Sequence, residues 1–119
     1  MMPLYTILSK EIIEDKWRFV IHMDPEHIIF KGHFPNIPIV PGAVLVQIVK
    51  ELAENILCKK IVLSEAQRIK FSKMIFPSKS TKINVSILLH CSDSIKINAE
   101  FIIENTPYCI VIARYKECV

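Results

Sequence analysis

Only one stretch of this sequence carries helical periodicity. From Pro41 onward, Val44, Leu45, Ile48, Val49, Leu52 and Ile56 fall on one stripe, with Gln47, Lys50, Glu51, Glu54 and Asn55 opposite. Pro41 suits the first helical turn, where its missing N–H costs nothing. The pattern predicts a helix of about 15 residues, ending near Cys58-Lys59-Lys60, whose lysines match the negative end of the helix dipole. Most of the remaining chain alternates with period two. Leu4 to Ser9 and Lys16 to Met23 precede the helix, the second with Trp17, Phe19, Ile21 and Met23 on one face before Asp24-Pro25-Glu26 stops it. Residues 26 to 40 read as irregular. After the helix come Ile61 to Leu63 leading into Gln67 to Ile75, then Lys82 to Leu89, Ile95 to Ile103 and Tyr108 to Tyr115. Breaks at Phe76-Pro77-Ser78, Ser92-Asp93-Ser94 and Asn105-Thr106-Pro107 are short enough for antiparallel neighbours. The expected architecture is α+β: an antiparallel sheet that buries its apolar face by curling around one long central helix. Its open edges favour pairing with a second copy.

Composition narrows the function classes. A chain of 119 residues, 51% hydrophobic and 23% charged, is expected to form one domain over 1–119 rather than a disordered segment. No apolar run approaches the ~20 residues of a membrane span, and no basic start with a following apolar block marks a leader, so a cytosolic protein is expected. A net charge of +3 without aromatic interleaving gives no reason to expect nucleic acid. Cys58, Cys91, Cys109 and Cys118 lack chelating intervals, so they read as free thiols, buried or half-buried, and no metal is expected.

Glycine usage concentrates attention on one segment. Average composition predicts about eight glycines, yet there are two, Gly32 and Gly42, flanking a single stretch. Between them Pro35, Pro38 and Pro41 recur every three residues and force their predecessors out of the helical region, so an extended, stiff arm is expected. His33 stands at one end, with a ring that titrates near neutrality. At the other end Gly42 opens the helix, where free N–H groups meet whatever approaches and the missing side chain lets a carbonyl oxygen come close. A base beside backbone donors aimed at an oxygen is what proton abstraction next to a thioester carbonyl requires. Structural roles for such a histidine are the competing interpretation.

The series Gly32-His33-Phe34-Pro35, Pro38, Pro41-Gly42, with a polar residue five positions after the last glycine, resembles the hotdog-fold 3-hydroxyacyl-[acyl carrier protein] dehydratases, the FabZ/FabA-like group. The motif spans residues 32 to 47; element order extends the resemblance over most of the chain, and Phe71 to Ser78 is similar to the strand and Pro turn that follow the helix in that family. The resemblance implies a hotdog dimer with two interfacial sites, each taking His from one subunit and an acidic residue from its partner's helix. It also implies reversible loss of water from a 3-hydroxyacyl thioester to the trans-2-enoyl product in fatty acid or related acyl-chain biosynthesis, with no metal or organic cofactor. In these terms His33 is the base, the Gly42 N–H polarises the carbonyl, and Phe34, Ile37, Val40 and Pro41 line the acyl tunnel near its mouth.

The sequence departs from the family at the acidic position, fourteen residues after His33, where it has Gln47. An amide can position a hydroxyl or a water but cannot deliver a proton, and general-acid help is typically worth ~10²–10⁴ in rate. Four readings stay open. The chain is still a dehydratase, with His33 moving both protons or Glu51 standing in. It pairs with a paralogue that keeps the carboxylate. It hydrolyses or merely holds acyl thioesters. Or Gln47 belongs to a solvated face.

Among the other histidines, His27 reads more readily as a solvated turn residue than as part of the same cleft, and His22 and His90 as strand residues. Arg68, Lys70, Lys73 and Lys79, with Lys82, read either as a solvated edge or as a docking surface for an acidic acyl carrier protein. The expected partners are that carrier with its acyl chain and a second subunit, identical or paralogous.

Overall fold

The structure, a computed structural model, describes residues 4–30 and 39–118. Its elements are β1 (Tyr5–Ile13), β2 (Lys16–Met23), a 3-10 turn (Ile28–Phe30), α1 (Gly42–Leu57), β3 (Ile61–Phe71), β4 (Ile83–Cys91), β5 (Ile95–Ile103) and β6 (Thr106–Glu117). The strands form one antiparallel sheet in the order β1-β2-β4-β5-β6-β3. The long helix α1 is wrapped by this sheet, as in the hotdog fold.

Burial follows the two periodicities. Phe19, Ile21 and Met23 of β2, Val85 and Ile87 of β4, Ile97, Ala99 and Phe101 of β5 and Cys109, Val111, Ala113 and Tyr115 of β6 all face the core. Across it α1 contributes Leu45, Ile48, Val49, Leu52 and Ala53. Leu52 alone, truncated to Ala, would forfeit about 2–5 kcal/mol. The helix ends in a left-handed residue, Cys58 (φ 57°), whose N–H donates to the Glu54 carbonyl at 2.8 Å. The Glu54 side chain then accepts the Ile61 N–H at 2.9 Å, which ties the helix end to the start of β3.

Several strand limits differ from the sequence reading, each for a local reason. β3 is one continuous strand, not two pieces, and stops at Phe71 rather than Ile75. Its pairing with β6 slips between Leu63 and Glu65 and again between Ala66 and Arg68, so two bulges reverse the facing of its side chains and erase the period-two signal. Beyond Phe71 the chain turns away, and the Ile75 carbonyl accepts the Val40 N–H at 2.9 Å. β1 continues to Ile13, past a slip at Leu8, and turns into β2 through Glu14 at φ 58°. β6 begins at Thr106 because Glu104 and Asn105, both at positive φ, already complete the turn. Of the four free cysteines only Cys109 is buried, its thiol pushed up to about 11 by desolvation; Cys58, Cys91 and Cys118 are exposed. Among the described residues no helix is long and apolar enough to cross a membrane.

Candidate functional site

Two of the clefts along α1 hold residues of the expected site. Five residues along a helix turn through about 140°, so Gly42 and Gln47 leave its surface on different sides. The structure accordingly places them in different clefts. Gln47 lies in a cleft of about 680 Å³ between α1 and β1, with Tyr5, Ile7, His27, Val44 and Glu51. Gly42 lies in one of about 430 Å³, with Val40, Leu45, Phe71 and Ile75. His33, Phe34 and Ile37, the expected base and two of the tunnel residues, lie outside the described residues.

In the larger cleft a short polar chain crosses an apolar wall. The Tyr5 hydroxyl donates to Glu51 Oε1 at 2.9 Å and the Gln47 Nε2 donates to Glu51 Oε2 at 3.0 Å. Both oxygens of the carboxylate are thereby engaged. Burial, then the hydrogen bond to Glu51 and the charges of Glu51 and Glu54, raise the Tyr5 phenol, so it remains a donor across the ordinary pH range. His27 is half-buried and lines this cleft rather than standing in solvent, because the turn after Asp24 carries it inward. Asp24 Oδ1 accepts the Glu26 N–H at 2.9 Å, and the His27 N–H donates to the Asp24 carbonyl at 3.2 Å. The His27 Nδ1 accepts the Ile29 N–H at 3.1 Å.

The smaller cleft sits at the helix start. Pro41 precedes α1 with extended backbone (φ −63°, ψ 146°), no side chain caps it, and its carbonyl accepts the N–H groups of Val44 and Leu45. The first N–H groups of the helix are thus left to other acceptors. Phe71 shapes the space beside Gly42. A Cβ there would stand 2.6 Å from Cζ of Phe71, so the aromatic ring fills the space the glycine leaves. Val40 is buried and Pro41 half-buried beside it.

The basic residues divide. Arg68 and Lys70 are exposed on β3, and Lys73, just past its end, holds its ammonium 5.5 Å over the Tyr108 ring. Lys79 is drawn elsewhere, 3.9 Å from Asp24. Tyr5 is the site residue that sequence reasoning missed. It lies 46 positions from Glu51, and no local pattern announces the contact.

The ApeI-like family model, described as ApeI dehydratase, matches residues 9–105. No curated protein matches the sequence. Among solved structures the chain is similar to the dehydratase heterocomplex ApeI:P from Xenorhabdus doucetiae, with a TM-score of 0.76 and 18% identity over 98% of this chain and 99% of that one. It is also similar to an uncharacterized protein from Erwinia carotovora subsp. atroseptica, with a TM-score of 0.67 and 19% identity over 99% of this chain and 97% of that one. Such identities speak for the fold, while the family match spans most of the sequence, from β1 to the end of β5. The chain belongs to the ApeI-like family of dehydratases.

Proposed function

We propose that this chain is a dehydratase-type subunit that binds 3-hydroxyacyl thioesters and completes its catalytic centre with a paralogue carrying the carboxylate it lacks. One observation carries the reading. Where the dehydratase motif calls for an acid the cleft holds Gln47, and the neighbouring carboxylate, Glu51, already has both oxygens engaged by Tyr5 and Gln47. The similar fold of a dehydratase heterocomplex supports a two-chain assembly.

In this scheme His33 takes the C2 proton, the Gly42 N–H polarises the thioester carbonyl, and the paralogue's acid protonates the departing 3-hydroxyl. The C2–H and C3–O bonds break, the C2=C3 bond forms, and water leaves. Val40 and Pro41, with Phe34 and Ile37, line the acyl path. Arg68, Lys70 and Lys73 draw an acidic acyl carrier protein, whereas Lys79 contributes less because Asp24 offsets it.

A second reading, a homodimeric dehydratase using Glu51 as its acid, is favoured by the presence of Glu51 and Gln47 in one cleft. The two are separated by following enoyl absorbance with a 3-hydroxyacyl or crotonyl thioester. The chain alone should run ~10²–10⁴-fold below its mixture with the paralogue, in keeping with a missing general acid. His33→Ala should abolish turnover of the mixture. Full activity of the chain alone would overturn the composite centre in favour of the homodimer, and release of free thiol would replace dehydration with hydrolysis.

A further inference from the structure

Glu51 lines two clefts, and they differ in kind. On one side lies the larger cleft, walled by Leu4, Ile7, Ile29, Val44 and Ile48. On the other, toward the end of α1, lies a cleft of about 450 Å³ lined by Glu54, Asn55, Cys58, Lys59 and Lys60. Along the helix, aliphatic walls thus give way to charged ones at one residue.

The Tyr5–Glu51 bond stands at this boundary. It ties β1 to α1 at 2.9 Å, and Gln47 engages the other oxygen, so the carboxylate is held from both sides. One helical turn further on, Lys10 Nζ donates to Asn55 Oδ1 at 2.7 Å and lies 5.2 Å over the Trp17 ring. Two rungs therefore join strand and helix in succession, and the first closes the apolar end. Each methylene buried before that rung strengthens binding roughly threefold to fourfold. A methylene placed beyond it must part a phenol from a carboxylate or enter a charged cleft, and either cost cancels the gain. We propose that Tyr5, through its bond to Glu51, ends the apolar cleft and sets the length of acyl tail that this chain accepts. Tyr5 meets the end of the tail, and Glu51 is a positioning residue that keeps the phenol across the gap. The assignment rests on the reading of this cleft as an acyl-thioester site and adds the residue that measures the tail.

The test measures binding of an acyl-pantetheine series, hexanoyl to tetradecanoyl, to the full-length chain by calorimetry. Affinity should climb by roughly threefold to fourfold with each methylene and then level off at one length. In Tyr5→Ala the missing ring leaves room for further methylenes, so the climb should continue past that length. Asn55→Leu removes only the second rung and should leave the levelling point where it is. An uninterrupted climb in the unaltered chain, or a levelling point that stays in place in Tyr5→Ala, overturns the assignment while leaving the acyl site standing. So does an equal weakening at every length in Tyr5→Ala, which a merely structural tyrosine would produce, or a shift as large in Asn55→Leu. Failure of the whole series to bind overturns the site together with the assignment. Should Tyr5→Ala fail to fold, Tyr5→Leu decides by the same shift.

Discussion

At the scale of single residues, the proposed function turns on Gln47. Its amide is 3.0 Å from Glu51, so Gln47→Glu would set two carboxylates at hydrogen-bonding distance. Like charges that close cannot both ionise at ordinary cost, and one of the pair keeps its proton to a higher pH. The variant would thus gain a proton donor where the dehydratase motif expects one. Dehydration by the chain alone is expected to rise by ~10²-fold, near the lower end of general-acid effects. Because the relevant carboxyl is raised, the gain should be present below its new pKa and fade as pH climbs through it. A pH series of enoyl absorbance reads both features, and a rate no higher than that of the unaltered chain would show that position 47 lies away from the reacting atoms.

Between elements, the contact to test is that of α1 with β3. Gly42 has no positive φ, so its backbone does not require glycine; the Phe71 ring does. In isolation Gly42→Ala should stabilise the helix by about 0.5–1 kcal/mol, but the new Cβ would meet Phe71 at 2.6–3.0 Å and push a half-exposed ring aside. A double-mutant cycle separates the two effects. Gly42→Ala is expected to be neutral or destabilising in the unaltered chain and stabilising once Phe71 is Ala, read as shifts in the denaturant midpoint. The elements also show what a sequence can disclose. β2 and β5 are legible to the residue because each alternates without interruption, and α1 because its stripe starts at Pro41 and its polar face is unbroken. β3 is not, since bulges in its pairing with β6 twice reverse inside and outside. The site is legible in part for a related reason. Gly42 and Gln47 lie on one helix at motif spacing, whereas the Tyr5–Glu51 bond and the inward turn of His27 are tertiary and leave no periodic trace.

Taken as a whole, the molecule is a sheet with two unlike free edges. β1 exposes aliphatic side chains, Ile7, Leu8, Ile12 and Ile13, whereas β3 and the segment after it expose Val62, Leu63, Phe71, Met74 and Phe76. Phenylalanine and methionine are enriched in interface centres, so association is expected at the β3 edge, with the partner strand extending the sheet. Leu63→Lys should reduce the assembly to single chains in light scattering coupled to size exclusion, while Ile12→Lys on β1 should leave its mass unchanged; the reverse pattern would move the interface to the opposite edge. The separation of Gly42 from Gln47 on two sides of one helix has a further consequence for such an assembly. In a mixed pair the shares would be unequal: one chamber would join this chain's imidazole to the other polypeptide's acid, and the second would receive only the amide. Half the chambers would turn over cargo and half would merely retain it, so a titration of working centres would count one for every two polypeptides.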